Sequence, residues 1–264
     1  MNASISCSVF AGALAAAVMI GGGSANALLF DQNVTPDVIF GSGNLNGSFT
    51  VDRAGGVELG LRAKIPFVGT TNSNGDGTYS YSLAETDHDS NPGTDQRWNF
   101  DWTVNTDFET MTGNKISAFT YKLGIDFDPG LGTDFLEFDP ITPPIAPVPD
   151  HSIGDNSTGE GDGVEAVDAT DYQNLIDANN VLQQSWRHAF FPLHPTLTYD
   201  PTIDGTYDIF LMAFDGNTQI ASTQIQVIIG AGGMAVPEPG TFALFGLGLA
   251  GLGFARRRRT IRSA

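Results

Sequence analysis

The sequence predicts a mainly β protein, a β-sandwich with one inserted helix, between an N-terminal signal helix and a C-terminal transmembrane helix. Three observations predict the β body. Throughout residues 28–235, short apolar runs are separated by Gly, Asn, Asp and Pro, which favour turns. Apolar and polar side chains alternate over residues 98–104, as in a strand with one buried face. Residues 204–230 contain two strand-like runs around an Asp-Gly-Asn turn, the pattern of a β-hairpin.

The hairpin gives the most detailed prediction. One strand is expected over 206–214 and the other over 219–229, joined by a turn at 215–217. The pair resembles the closing hairpin of an immunoglobulin-like sandwich, and Tyr207 lies where such domains place a corner tyrosine. A further long strand is expected over 116–127. The resemblance concerns the fold and implies no function.

One segment, residues 170–186, breaks the β pattern. Thr170 and Gln173 form a capping-box pair, which satisfies free N–H groups at a helix start. The apolar residues that follow fall broadly on one helical face: Tyr172, Leu175, Ile176, Leu182 and Trp186. We therefore predict a single helix over 170–186, packed on the sandwich and preceded by a long loop over 139–163.

The charge is divided sharply along the chain. The 264 residues carry 12 basic and 30 acidic side chains, and five of the basic ones follow residue 255. Residues 28–235 hold seven basic and 29 acidic side chains, a formal charge of −22. Such a field repels nucleic acids and anionic lipids, and it attracts cations and basic partners. The composition therefore predicts that the body does not bind nucleic acid.

The N-terminus has the pattern of a secretory signal peptide. An apolar run over residues 9–20 is followed by Ala25 and Ala27, the small residues that a signal peptidase accepts. We therefore predict a signal peptide over residues 1–27 that signal peptidase cuts after Ala27. Cys7 is the only cysteine and lies within this segment, so the body can hold no intrachain disulfide.

The C-terminus has the pattern of a membrane anchor. Residues 241–255 carry no charge, and as a helix they would extend about 22 Å, against a hydrocarbon core of about 30 Å. Snorkelling side chains and local thinning of the bilayer could make up the difference. Four arginines follow directly: Arg256, Arg257, Arg258 and Arg259. Because such basic residues stay in the cytoplasm, the acidic body should lie on the other side of the membrane.

A short proline motif precedes this apolar run. It consists of Val236, Pro237, Glu238 and Pro239. The motif, the uncharged helix and the basic tail over 256–264 together resemble the PEP-CTERM sorting signal, here over residues 236–264. The resemblance implies recognition by an exosortase, a membrane-embedded cysteine protease-transpeptidase of bacteria. It also implies a link to extracellular polysaccharide and biofilm matrix.

This resemblance sets the expected location. The body over residues 28–235 should be exported and held as an inner-membrane-anchored precursor. It should then reach the cell surface or the extracellular matrix of a Gram-negative bacterium.

Acidic clusters make calcium the one cofactor that the sequence suggests. The candidate ligands are Asp87, Asp89, Asn91, Asp126, Asp128 and Asp134. The first three occupy positions one, three and five of an EF-hand-like loop, but Pro92 and Trp98 replace the glycine and the glutamate that an EF-hand requires. Calcium favours oxygen-rich loops of this kind. The alternative is that the Asp, Asn and Gly residues only form turns.

The body shows no catalytic motif, so the sequence predicts an exported protein that is structural or adhesive and not an enzyme. One alternative is a calcium- or carbohydrate-binding module, in which Trp98, Trp102 and Trp186 would stack on sugar rings instead of lying in the core. The other is a secreted hydrolase, which needs two carboxylates in a cleft. The four histidines lie in scattered loop-like contexts, and His188 and His194 are expected at the surface or in packing contacts and not as metal ligands.

Overall fold

The computed structural model describes residues 27–68, 71, 73–86, 97–109, 112–141, 150–191 and 199–233. The predicted signal helix and the predicted transmembrane helix lie outside these residues. Among the residues described, no helix has the length and hydropathy needed to cross a membrane.

Two β-sheets dominate the described residues, so the prediction of a mainly β protein is confirmed. In chain order, the strands are β1 (Leu29–Gln32), β2 (Phe49–Ala54), β3 (Val57–Lys64), β4 (Thr78–Tyr81), β5 (Asn99–Asn105), β6 (Thr120–Asp126), β7 (Phe135–Phe138), β8 (Ser152–Gly154), β9 (Val181–Trp186), β10 (Gly205–Asp215) and β11 (Thr218–Ile229). One sheet has six strands in the order β1-β2-β3-β5-β9-β8, and the other has five in the order β4-β11-β10-β6-β7. Paired strands are antiparallel, except that β4 runs parallel to β11.

The two sheets contribute to one hydrophobic core. In β10, buried and partly exposed residues alternate, as the period of two in a strand requires. Ile209 and Leu211 of this strand lie in the same cluster of buried side chains as Leu61 of β3 and Trp102 of β5. Burying apolar surface from both sheets in one cluster is the main force that holds them together. The arrangement is sandwich-like.

The three predicted strand regions form strands with shifted ends. Residues 98–104 correspond to β5, and the predicted hairpin forms as β10 and β11. The hairpin turn contains Gly216 with φ of 56°, a left-handed conformation that glycine adopts without steric cost. The strand expected over 116–127 begins as a 3₁₀ turn at Ile116–Ala118 and continues as β6.

The predicted helix over 170–186 is wrong in its second half. Two short α-helices are described, α1 (Leu83–Thr86) and α2 (Ala169–Ala178), whereas residues 181–186 form β9, which lies between β5 and β8 in the six-stranded sheet. Leu182 and Trp186 are four residues apart, a spacing that places two side chains on one face of either a helix or a strand. The helix start also differs, because Asp168 is the N-cap and its carboxylate accepts from the N–H groups of Thr170 and Asp171.

A segment without strands, residues 33–48, covers the outer face of the six-stranded sheet. The Nε of Arg62 donates to Oδ2 of Asp101 over 2.8 Å, and its Nη1 donates to two carbonyl oxygens of the covering segment. Nζ of Lys64 lies 3.0 Å from the same Asp101 oxygen. All three side chains are buried. A charged network therefore fastens this segment to the sheet.

The strand ends define two poles of the body. Lys64 at the end of β3 pairs with Asn99, and the neighbouring Trp98 ring lies 6.3 Å from the Tyr207 ring near the start of β10. Both sheets therefore end on this side, which we name the exit pole: residues 64–68, 127–134, 187–191, 199–204 and 230–233. The opposite side is the far pole: residues 55–56, 106–109, 112–115 and 216–217.

Candidate functional site

The described chain leads into the predicted tail at the exit pole. Beyond β11, the N–H of Gly233 donates to Oγ1 of Thr206 over 2.8 Å. Gly233 also packs against the backbone of Pro129 and Gly130 so closely that an added Cβ atom would collide with the Gly130 carbonyl group. Gly233, the last residue described before the tail, is therefore held against the loop between β6 and β7.

Asp126 organises that loop. Its Oδ1 accepts from the N–H groups of Asp128 and Asp134, over 3.0 and 2.7 Å, and its Oδ2 accepts from the N–H of Asp208 over 3.4 Å. Burial raises the pKa of the Asp126 carboxyl, while these backbone N–H groups lower it. Burial is the larger of the two effects. The carboxylate thus satisfies backbone donors that would otherwise lie unpaired in the loop.

The other two acids of this loop are more exposed than Asp126. Oδ1 of Asp128 accepts from the N–H of Gly130 over 2.8 Å, which closes a short Asx turn. In the part of the chain that the structure describes, no group of three or more His, Cys, Asp or Glu side chains is placed to hold a metal ion. Asp87, Asp89 and Asn91 lie outside the described residues. Calcium binding stays a prediction for both clusters.

Two of the four histidines lie in the core. Nδ1 of His151 lies 2.9 Å from the Tyr172 hydroxyl, and Nε2 of His188 lies 2.8 Å from the carbonyl oxygen of Asp126. Burial lowers the pKa of His151 to about 3 and that of His188 to about 4. Both rings are therefore neutral near pH 7, and both are inaccessible to a substrate. His88 and His194 lie outside the described residues.

The three tryptophans also belong to the core. Trp98 and Trp102 are fully buried and Trp186 is 8% exposed. The Trp102 and Trp186 ring centroids lie 5.1 Å apart and both rings contact His151, whereas the Trp98 ring packs against His188. These side chains cannot stack on a sugar in this conformation, so the core alternative applies to them.

An exposed aromatic residue that the sequence pattern did not predict lies at the exit pole. The N–H of Val68 donates to the carbonyl oxygen of Ile65 over 3.2 Å, which closes a turn with Pro66 and Phe67 at its centre. Phe67 has φ of 64°, at a turn position that normally takes glycine, and its side chain is fully exposed. The Pro-Phe-Val sequence after a long strand is the signal that could have drawn attention to it.

Comparison with known families identifies the C-terminal segment. The model of the PEP-CTERM protein-sorting motif matches residues 235–259. No curated protein and no solved structure matches the chain. The match shows that the chain carries a C-terminal sorting signal.

The particular signal is the PEP-CTERM protein-sorting motif, which the chain carries at residues 235–259. This motif implies recognition by an exosortase, export, and a membrane-anchored precursor of an extracellular protein. Every residue of the motif lies outside the described residues.

Proposed function

We propose that this protein is a structural or adhesive component of the cell surface or extracellular matrix of a Gram-negative bacterium. It acts there with extracellular polysaccharide in the biofilm matrix, and it performs no catalysis. The observation that carries the proposal is the sorting motif at residues 235–259, with Val236, Pro237, Glu238 and Pro239 at its start.

Side chains of the body that could be reactive are buried and held by their neighbours, which supports a structural role. His151 and His188, which could supply acid–base chemistry, are packed among aromatic rings with their pKa values lowered by burial. Asp101 is committed to the network with Arg62 and Lys64. Groups fixed in this way stabilise a fold and do not face a substrate.

The proposed order of parts follows the sequence. Residues 1–27 form a signal peptide that signal peptidase removes, residues 28–235 form the exported body, and residues 236–264 form the sorting signal. A cut after Ala27 leaves the body complete, since β1 begins at Leu29. In the signal, residues 241–255 span the membrane, and the arginines from Arg256 to Arg259 hold the C-terminus in the cytoplasm.

We also propose that the body is a β-sandwich closed by an immunoglobulin-like hairpin. Two features support this. β10 and β11 form one long hairpin that packs against the core, and Tyr207 lies two residues after Gly205 near the start of the penultimate strand. A Cβ atom on Gly205 would lie 2.8 Å from the Tyr207 ring, so the tyrosine packs back on the chain that precedes it.

The proposal rests on the sorting of the protein by an exosortase. This step is tested by replacing Pro237, Glu238 and Pro239, all three in one variant, with alanine. The proline residues keep this stretch out of a regular helix and present an extended backbone to a protease. The triple variant should insert normally and escape processing, so a full-length membrane-bound precursor should accumulate. The measurement is the mass of the protein in envelope and surface fractions of a host that has its exosortase.

Replacing Arg256–Arg259 with glutamine is the matched control. Each arginine costs roughly 2.5–3.5 kcal/mol to place at the centre of the bilayer on the insertion scale. Their removal should therefore disturb retention or orientation while the cleavage motif stays intact. If the triple-alanine chain is trimmed and displayed like the unmodified chain, the tail is only an anchor and the sorting proposal is wrong.

A further inference from the structure

The exposed apolar side chains of the body are distributed unevenly between its poles. Among the described residues, five of the large apolar side chains that are exposed lie at the exit pole: Phe67, Val68, Leu131, Phe190 and Ile203. The described turns of the far pole hold none of them. Those turns consist instead of residues such as Gly55, Gly56, Gly216 and Asn217. The pole with these exposed apolar side chains is also the pole at which the chain leaves the body.

Two of these side chains lie beside the point where the tail begins. Leu131 is 64% exposed and directly follows Gly130, on which Gly233 packs. Ile203 is 40% exposed, and its neighbour Asp204 packs against Gly230. Leu131 and Ile203 therefore flank the last described residues before the tail.

The length of the connection limits how far this pole can lie from the membrane. Seven residues, 234–240, separate Gly233 from Thr241, where the apolar run begins. Eight steps along a fully extended chain cover at most about 29 Å. A relaxed connection of that length spans roughly 15 Å. Because this short connection leaves the body at the exit pole, it holds the exit pole nearer to the lipid surface than the far pole.

We infer that the exit pole is a membrane-contact surface, which rests on the lipid bilayer while the sorting tail is inserted. This inference rests on the proposed function, since it requires the tail to be an anchor. Apolar tips such as Leu131 and Phe67 lose exposed area when they enter the interfacial region, as the apolar faces of interfacial proteins do. The contact places Pro237–Pro239, which lie within the connection, at the membrane surface where a membrane-embedded protease acts.

The charge of the body shows why the tether is required. A formal charge of −22 over residues 28–235 opposes spontaneous binding to anionic lipid. Asp128 and Asp204 also lie at the exit pole. The inserted tail keeps the body beside the bilayer. A weak contact between the exit pole and lipid is then intramolecular, and the effective concentration of the lipid surface is high. The partner is therefore the bilayer that already holds the tail, and the contact should end when the tail is removed.

The test places a polarity-sensitive fluorophore at each pole. Single cysteines replace Leu131, Ile203 or, at the far pole, Asn217, and each is the only thiol of the mature chain, because Cys7 is removed with the signal peptide. The mature chain is purified from a host without exosortase and reconstituted in phosphatidylcholine vesicles, with and without a lipid that carries a shallow nitroxide quencher. Flotation of the vesicles reports anchoring, and quenching reports contact with lipid.

We expect the chain to float with the vesicles, with blue-shifted and quenched emission at positions 131 and 203 and unquenched emission at 217. If the chain floats but positions 131 and 203 are as unquenched as 217, the tail is an anchor and only the membrane-contact surface is refuted. Equal quenching at all three positions also refutes it, because the body would then have no preferred side. If the chain does not float, the anchor fails, and the proposed function and this inference fail together.

Discussion

At the scale of single residues, the body is stabilised by polar groups that are buried together with their partners. Asp101 lies between Arg62 and Lys64, with nitrogen–oxygen distances of 2.8 and 3.0 Å, and none of the three is more than 9% exposed. Burial lowers the pKa of Lys64, while the charge of Asp101 raises it. A charge in this position is tolerated only while its partners remain.

Removing Asp101 should therefore be costly. Asp101→Ala leaves two buried cations without their carboxylate, and we expect the free energy of unfolding to fall by about 3–5 kcal/mol. Glu137→Ala is the matched control, because its pair with Lys122 has a distance of 3.0 Å but both side chains are almost half exposed. That variant should lose at most about 1 kcal/mol. Urea denaturation measures both, and equal losses would contradict the role given to the Asp101 network.

The buried histidines predict a loss of stability in mild acid. Their folded-state pKa values, about 3 for His151 and about 4 for His188, lie below the ordinary value of 6.5. Between these values the unfolded chain binds more protons than the folded one. The stabilising contribution of the neutral histidines is therefore complete above pH 6.5 and is lost as the pH falls, towards about 4 for His188 and about 3 for His151. Each histidine adds a slope of about 1.4 kcal/mol per pH unit within its window.

Burial raises the pKa of some carboxyl groups, such as that of Glu58. Their contribution to the free energy of unfolding is lost as the pH rises, which is opposite to the contribution of the histidines. The histidine contribution is therefore read from a difference between variants. In the double variant His151→Gln and His188→Gln, the amides retain hydrogen-bonding capacity but do not titrate. Its unfolding free energy should fall less between pH 7 and pH 5 than that of the unmodified protein. Parallel curves would show that these histidines are not buried as described.

At the scale of elements, the sequence was a good guide wherever the signal is local. The Asp-Gly-Asn turn marks the β10–β11 hairpin, and alternation marks β5. β9 was missed because Leu182 and Trp186 fit both periodicities, and the pairing of β9 with β5 that decides between them joins residues about 80 positions apart. The Arg62–Asp101 pair could not be predicted either, since it depends on the register of β3 against β5.

The calcium prediction belongs to this scale and concerns two clusters, one over residues 87–91 and the other in the loop between β6 and β7. Calcium bound to the folded protein alone should raise its melting midpoint, because a ligand of the folded state stabilises it. We expect millimolar calcium to raise the midpoint relative to chelator, and Asp87→Asn or Asp128→Asn to reduce that rise. Asp215→Asn, at the end of β10 and next to the far pole, is the control and should retain the full rise. An unchanged midpoint in calcium would leave both clusters as turns.

At the scale of the whole molecule, the two ends of the chain determine where the protein goes, and the body determines what arrives there. The sorting motif could be predicted from sequence because it is a contiguous signal of residue type and order, matched at residues 235–259. The exit pole could not be predicted in this way. It brings Phe67, Leu131 and Ile203 to one side of the body only through the folding of both sheets.

The processing of the tail by an exosortase is tested most directly by the intact mass of the protein. The mass is measured in a host with its exosortase and in the same host without it. We expect a chain that begins at Leu28 in both hosts. With the enzyme, the surface form should lack Arg256–Arg259 and the apolar run before them. Without it, the full tail should remain and the protein should stay in the membrane. The same full-length mass in both hosts would contradict the claim that this tail is a processed sorting signal.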